Sequence, residues 1–217
     1  PYSPVSAFAL DPLYVSLDAV EEMEALGGRE ALGDEDRGWL TAARGAYHVR
    51  HDQVRPLKKR WLERCHARFV EHVDPASERA RDYTAFCEEH RGWLDDYALF
   101  RTLKEHHPQS WRAWPEPLRH RDAGAVEEAR RAHATEIAQR KYVQWVAFRQ
   151  LEDARRQLAA RGILLGGDEP FLVAEDIADV WGQQHLYRFD ATVGAPPDPF
   201  SATGQDWGLP PYRWDRI

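Results

Sequence analysis

Cysteine is scarce in this sequence: Cys65 and Cys87 are the two thiols among 217 residues, and both fall in segments with a helical pattern. Two thiols cannot build the disulfide framework on which small secreted domains depend. No leader of charged and then apolar residues opens the chain, as a secretion signal would. We therefore expect an intracellular protein of a reducing compartment, most simply the cytoplasm.

Long apolar runs and an excess of positive charge are also absent. No hydrophobic stretch approaches the ~20 residues that a membrane-spanning helix needs. The formal net charge is −7 at pH 7, whereas proteins that bind nucleic acids or membrane surfaces are usually basic. The sequence thus predicts a soluble globular protein with neither nucleic-acid nor membrane partners.

Several common catalytic motifs are missing as well. The sequence has no phosphate-binding Gly-x-x-x-x-Gly-Lys, no Gly-x-Gly-x-x-Gly, no Gly-x-Ser-x-Gly and no His-Glu-x-x-His. Their absence argues against the common nucleotide-binding, dinucleotide-binding, esterase and zinc-protease classes. No organic cofactor is implied.

Potential metal ligands occur in pairs that do not combine. The pairs are Cys65 with His66, Cys87 with His90, Glu63 with His66, and His48 with His51. A structural zinc site needs about four ligands at workable spacing, and a di-iron bundle needs a second Glu-x-x-His step on another helix. The sequence therefore predicts no metal site.

The middle of the chain has the periodicity of helices. Apolar residues from Val54 to Phe69 recur at spacings of three and four, which indicates one helical stripe. Ser77 is placed to cap the helix that follows it. Helices are expected over residues 17–26, 47–73, 78–89, 91–107 and 123–161. Residues 108–121 are expected to form a loop, or a loop with a single turn.

The pattern changes after this helical region. Gly162 is predicted to end the long helix, and Ile163–Leu165 is a short apolar run followed by glycines and Asp168. A helix, a glycine and a buried strand form half of a parallel α/β unit. Because substrates bind at the ends of strands in α/β barrels, Asp168 is the best single polar candidate; an Asp that caps a turn is the alternative.

A second candidate site is the segment from Gly194 to Gly208, Gly-Ala-Pro-Pro-Asp-Pro-Phe-Ser-Ala-Thr-Gly-Gln-Asp-Trp-Gly. It shows neither helix nor strand periodicity, so we expect a long loop. Phe200 and Trp207 can stack on sugar rings, and the amide of Gln205 can donate to and accept from hydroxyls. A loop that carries several aromatic and amide side chains usually contacts a ligand. The alternative is a surface loop folded on itself with Trp207 buried.

Four separated stretches together resemble the amylomaltases, the 4-alpha-glucanotransferases of glycoside hydrolase family 77. Residues 1–9, Pro-Tyr-Ser-Pro-Val-Ser-Ala-Phe-Ala, resemble the family's Ser-Pro-Tyr-x-x-x-Ser-Ala-Phe-Ala segment. Residues 93–100 resemble its Trp-Leu-x-Asp-Tyr-Ala-Leu-Phe helix. Residues 162–181 resemble its Gly-Asp-x-Pro-x-x-Val and Asp-Ser-Ala-Asp-Val-Trp stretch, and residues 194–208 resemble its Pro-Pro-Asp-x-Phe-Ser-x-Thr-Gly-Gln-x-Trp-Gly loop.

The resemblance implies an α/β fold that is part of a (β/α)8 TIM barrel, with a large helical insertion and a helix-rich chain overall. Residues 1–16 would form a barrel-associated loop and strand, residues 17–160 the insertion with barrel helices, and residues 161–217 barrel strands with a substrate-gripping loop. The substrate-binding residues implied by position are Tyr2, Asp168, Asp198, Phe200, Gln205 and Trp207. Among them, Tyr2 and Asp168 would contact the sugar at the cleaved bond.

The implied reaction is transfer of α-1,4-glucan segments between maltooligosaccharides, with retention and a covalent glycosyl-enzyme intermediate. Retention requires two carboxyl groups about 5 Å apart. In the family these groups follow the equivalent of Trp214, while this chain ends at Ile217. We therefore expect a fragment that supplies substrate-binding parts and contains no catalytic residue, metal or cofactor; the oligomeric state stays open.

Two other classes of protein fit parts of the sequence. A non-catalytic glucan-binding or regulatory module would keep the aromatic loop and never need the carboxylates. A helical scaffold would explain residues 40–160 but would leave the terminal loop without purpose. The chain also departs from the family pattern, since Leu209 stands where Asn is usual and Pro199 replaces Tyr, and the first change removes a polar contact.

Overall fold

The computed structural model describes residues 4–167 and 170–217, most of which lie in helices. The α-helices are α1 (Glu21–Ala25), α2 (Asp34–Gly45), α3 (His51–His72), α4 (Glu78–Glu89), α5 (Arg91–His106), α6 (Glu116–Arg119), α7 (Ala123–Ala132), α8 (Ala134–Ala159) and α9 (Ala178–Gly182). The β-strands are β1 (Val193–Ala195) and β2 (Gln205–Leu209). Turns of 3-10 helix lie at Pro12–Tyr14, Leu17–Ala19, Gly28–Ala31, Trp111–Ala113 and Gln184–Leu186. No helix in this described part combines the length and the apolar character needed to cross a lipid bilayer.

The chain divides into two compact units. The first unit comprises Pro1–Ala9, Arg91–Ala138 and Gly167–Ile217. The second unit comprises Leu10–His90 and Gln139–Gly166.

The second unit is built around α3. The predicted stripe is confirmed, because Leu57, Trp61, Cys65 and Phe69 are buried, and α3 packs against α1 and α2. The helix begins at His51, later than predicted. Helix α2 was not predicted.

The start of α4 is fixed by local chemistry. The Ser77 hydroxyl oxygen accepts a hydrogen bond from the Ala80 amide at 3.1 Å, which satisfies one of the amides that a helix leaves free at its first turn. The predicted cap and the predicted helix over 78–89 are both confirmed.

The predicted single helix over residues 123–161 is wrong, because the chain breaks at His133 into α7 and α8. His133 adopts φ −115° and ψ 25°, outside the helical range, and its Nδ1 lies 3.3 Å from Glu136 Oε1 in the next turn. The end of α8 is as predicted: Gly162 has φ +73°, and the Ile163 amide donates back to the Leu158 carbonyl at 3.0 Å. This is the glycine-dependent helix termination of a Schellman motif.

Ile163–Leu165 is not the buried strand that its sequence predicts. The three side chains are exposed, Leu164 to 93%, and the segment has no strand hydrogen bonds. A strand forms only when a neighbour satisfies its backbone groups, and the strands in the described residues, β1 and β2, pair with each other. Asp168, which follows this run, lies outside the described residues.

The N-terminal segment likewise carries no strand between residues 4 and 16. Asp11 Oδ1 accepts a hydrogen bond from the Leu13 amide at 2.9 Å, which starts the 3-10 turn at Pro12–Tyr14. Residues 4–16 therefore form loops and 3-10 turns.

In the first unit, α5 packs closely on α9. The ring centroids of Phe100 and Trp181 lie 5.8 Å apart, and Trp181 Nε1 donates to the Leu118 carbonyl at 3.0 Å. A Cβ on Gly182 would stand 2.8 Å from an Asp96 carboxylate oxygen, so glycine permits this approach. The predicted helix over 91–107 is confirmed as α5.

Candidate functional site

The segment around Ser6 is tied to α9 by one partly buried carboxylate. Asp179 Oδ1 accepts from the Ser6 hydroxyl at 2.8 Å, and Oδ2 accepts from the Ala7 amide at 2.7 Å. The Ala178 amide also donates to the Val5 carbonyl at 2.8 Å. Burial raises the pKa of Asp179, and these two hydrogen bonds offset part of that effect. Residues 5–7 and the start of α9, which lie in separate stretches of the family resemblance, thus meet in the structure.

The base of the terminal segment is also held by backbone hydrogen bonds. The Arg188 amide donates to the Pro211 carbonyl, and the Arg213 amide donates to the Leu186 carbonyl, each at 2.8 Å. Between these bonds, the rings of Tyr187 and Tyr212 lie 5.2 Å apart. The segment from 193 to 209 therefore projects from a fixed base.

This segment is a β-hairpin, so the prediction of a loop without strands is wrong. Strands β1 and β2 pair antiparallel, and two glycines make the pairing possible. A Cβ on Gly194 would stand 1.9 Å from the Gln205 carbonyl oxygen, and a Cβ on Gly204, where φ is +73°, would stand 2.6 Å from the Ala195 carbonyl oxygen. Glycine lowers strand propensity in isolation, but here the close approach of two backbones requires it.

An irregularity in the strand pairing sets the position of Trp207. Val193 pairs with Leu209, whereas the next residue, Gly194, pairs with Asp206. Trp207 and Gly208 are therefore extra residues on β2, as in a β-bulge, a feature that re-aims side chains near functional sites. Gly208 has φ +64°.

The bulge is stabilised by Asp206. Its Oδ1 accepts from the Gly208 amide at 2.9 Å. Hydrogen bonds from Thr192 and from the Gly208 amide lower the pKa of Asp206, so this carboxylate is ionised at neutral pH.

Gln205 and Trp207 form one exposed pair on β2. Trp207 Nε1 donates to Gln205 Oε1 at 3.1 Å, and the Trp207 side chain remains 45% exposed. The segment does fold on itself, as the alternative interpretation held, but it does not bury this ring. The indole N–H thus has a hydrogen-bond acceptor, while part of the ring stays exposed to solvent.

The hairpin tip presents Phe200 to solvent. Asp198 Oδ1 accepts from the amides of Phe200 and Ser201 at 2.8 and 2.7 Å. The Asp198 and Ser201 backbones also exchange hydrogen bonds of 3.0 and 3.2 Å. Asp198 thus shapes the turn on which Phe200 stands 97% exposed.

The structure places four of the six predicted substrate-binding residues on this hairpin: Asp198, Phe200, Gln205 and Trp207. Tyr2 and Asp168 lie outside the described residues. Sequence reasoning missed the supporting residues Asp206, Gly194 and Gly208. Gly204 and Gly208, which bracket Gln205 to Trp207, were visible in the sequence, but the bulge depends on a register that only the paired strands define.

Exposed aromatic rings beside a fixed amide are typical of a carbohydrate-binding surface. The comparison with known families agrees: the model of glycoside hydrolase family 77, described as 4-alpha-glucanotransferase, matches residues 1–217. The chain belongs to this family.

Relatives support the assignment over the same length. The chain is 37% identical to a 4-alpha-glucanotransferase of Thermus thermophilus, covering 99% of this chain and 42% of the relative. It is 32% identical to one of Synechocystis, covering 100% and 43%. Its structure resembles an amylomaltase from Streptococcus agalactiae in complex with acarbose, with a TM-score of 0.81, 25% identity, and coverage of 99% and 43%. The chain thus spans less than half the length of these relatives.

Proposed function

We propose that the intact protein transfers α-1,4-glucan segments between maltooligosaccharides by a retaining mechanism, and that this chain supplies glucan-binding parts. Membership of the 4-alpha-glucanotransferase family over all 217 residues carries the proposal. The exposed aromatic hairpin supports it, because the hairpin offers the chemistry that a sugar chain requires.

The hairpin suits a glucan for three physical reasons. The rings of Phe200 and Trp207 offer apolar faces on which the C–H face of a glucose unit can pack. Gln205 uses its Oε1 for Trp207, so its amide nitrogen is left to donate to a hydroxyl. Backbone hydrogen bonds and two tightly packed glycines fix the hairpin before binding, which lowers the entropy that binding costs.

The other site residues have narrower proposed roles. Asp198 acts by shaping the tip that presents Phe200. Tyr2 and Asp168 would contact the sugar next to the cleaved bond, as the family resemblance implies. We propose that the two catalytic carboxyl groups, about 5 Å apart in retaining enzymes, are supplied by residues outside this chain.

We also propose that the chain forms part of a (β/α)8 barrel, with residues 17–160 as the helical insertion and barrel helices. The exposed apolar side chains of Ile163–Leu165 support a barrel strand there, because burial beside neighbouring strands would remove them from water. Residues 1–16 and 161–217 would provide the remaining barrel segments, and 194–208 the glucan-binding hairpin.

The test is Trp207→Ala in the intact protein, assayed by disproportionation of maltotriose. We expect kcat/KM to fall about tenfold or more, the usual cost of truncating an aromatic hot spot. Trp207→Phe keeps a ring and should retain much of the activity. The control is Tyr47→Ala, which removes another exposed ring, 96% exposed in the second unit, and should leave kcat/KM unchanged.

Two results would contradict the proposal in different ways. Unchanged kcat/KM in Trp207→Ala would show that the Trp207 ring on the hairpin does not contribute to glucan binding. It would not contradict the proposed transfer reaction. Binding of maltooligosaccharides by the intact protein without any release of glucose would instead favour the non-catalytic glucan-binding module.

A further inference from the structure

Three side chains that are distant in sequence meet in the first unit. His106 ends α5, His133 lies at the break between α7 and α8, and Glu136 lies in the first turn of α8. His106 Nε2 is 3.1 Å from Glu136 Oε2, and His133 Nδ1 is 3.3 Å from Glu136 Oε1. We call these three residues the His-His-Glu cluster.

The cluster lies where the chain breaks between α7 and α8. His133 directly precedes α8, and Glu136 follows it by three residues, so their side chains are neighbours. The two imidazole rings are 4.3 Å apart between centroids and tilted by 38°. One nitrogen from each ring and one oxygen of the carboxylate all lie within 4.8 Å of one another.

We propose that the His-His-Glu cluster binds a zinc-like divalent metal ion. Two imidazole nitrogens and one carboxylate oxygen form a donor set that zinc uses with a fourth, open position for water. The ion would tie the end of α5 to the start of α8.

The distances fit tetrahedral coordination. Zinc bonds of about 2.0–2.1 Å place neighbouring ligand atoms about 3.3 Å apart. Each imidazole nitrogen lies near this distance from the carboxylate, His106 Nε2 at 3.1 Å from Oε2 and His133 Nδ1 at 3.3 Å from Oε1, and three donor atoms, one from each residue, lie within 4.8 Å of one another. The three side chains are partly exposed, so rotation of an imidazole can close the remaining distance without disturbing packed residues.

The charges also fit a cation. The Glu136 carboxylate supplies an anionic oxygen ligand, and the two imidazoles coordinate an ion through unprotonated nitrogens. Zinc and protons compete for the imidazoles, so the affinity for zinc should fall as the pH falls.

The experiment is zinc binding by the intact protein after removal of metal with a chelator, measured by calorimetry and by the visible absorption of Co2+ as a substitute ion. We expect His106→Gln and Glu136→Gln to lose one binding site or to weaken it by about tenfold or more, because even loss of a group that orients a ligand costs that much. The matched control is His185→Gln, which removes another exposed imidazole of the first unit and should bind zinc as the wild type does.

Thermal unfolding gives a second readout. Zinc should raise the Tm of the wild type and of His185→Gln, but not that of His106→Gln, because a ligand stabilises the folded state only where it binds. Equal zinc binding by the wild type, His106→Gln and Glu136→Gln would overturn the proposal, as would no binding by the wild type. None of these measurements depends on glucan transfer, so they test the metal site independently of the proposed transferase function.

Discussion

Aromatic side chains serve opposite purposes in two regions of this chain. In the second unit, the rings of Phe69, Tyr142 and Trp145 lie 5.3 to 5.7 Å apart in the buried core; we call these three residues the core aromatic cluster. On the hairpin of the first unit, Phe200 and Trp207 are exposed. The residue types are alike, so composition alone cannot distinguish a core from a binding surface.

The polar partners of the rings show the same contrast. In the core aromatic cluster, Trp145 Nε1 donates to Asp82 at 2.8 Å, and the Tyr142 hydroxyl donates to Glu22 at 2.6 Å. These partners are distant in sequence and belong to packed helices. Trp207 instead donates to Gln205, two residues away. The hairpin therefore fixes its ring with local bonds, which stabilise an orientation without requiring burial.

The variant Trp145→Ala is the strongest test of the contrast between the core aromatic cluster and the hairpin. The side chain is 1% exposed, so its removal leaves a cavity and takes one hydrogen-bond donor from Asp82, which keeps Arg149 as a partner. We expect the free energy of unfolding to fall by about 3–5 kcal/mol. Urea unfolding followed by circular dichroism measures this change. Trp207→Ala, as the matched variant, should change the same free energy by less than about 0.5 kcal/mol. Similar losses in both variants would mean that the hairpin ring is also a structural anchor.

The second prediction concerns the carboxylate beneath the core aromatic cluster. Glu22 is buried and accepts two hydrogen bonds from Arg79, each of 2.7 Å, and one from Tyr142. Burial alone would raise the pKa of Glu22, but these hydrogen bonds and the Arg79 charge lower it below the ordinary value of 4.5. The folded state therefore holds the proton less tightly than the unfolded state does.

The sign of the pH dependence follows. Glu22 contributes its full stability above pH 4.5, and that contribution is lost as the pH falls through the lowered pKa. Glu22→Gln should reduce the free energy of unfolding at pH 7 by less than about 3 kcal/mol, because Arg79 keeps Glu21 as a partner. The difference between wild type and variant should shrink below pH 4.5, as measured by urea unfolding at each pH. A difference that stays constant with pH would contradict the role of the Glu22 charge.

Local patterns explain why part of the fold could be predicted from the sequence. The α3 stripe and the Ser77 cap involve residues within a few positions of each other, so the spacing of residues in the sequence was sufficient to predict both. The break at His133 was missed because helix-forming residues continue on both sides of it. Whether Ile163–Leu165 forms a strand depends on pairing with neighbouring strands, and the local sequence carries no information about those partners.

The candidate sites show the same limit. The residue types of Phe200, Gln205 and Trp207 indicated sugar contacts, but the hairpin register that places them depends on backbone pairing between β1 and β2. The sequence also predicted no metal site, since the pairs considered were close in sequence. His106 ends α5 and His133 lies at the break between α7 and α8, and the structure is needed to bring them to one carboxylate.

The smallest expected effect tests how the hairpin presents Phe200. Asp198→Ala removes the acceptor of two backbone hydrogen bonds at the tip, and each such bond contributes about 0.5–1.5 kcal/mol locally. We expect kcat/KM for maltotriose to fall by less than in Trp207→Ala, with global stability unchanged. Asp198→Asn retains the side-chain oxygen that forms the turn, so it should behave as the wild type. If the two Asp198 variants lost activity equally, the negative charge would matter, and Asp198 would act on the glucan itself and not through Phe200.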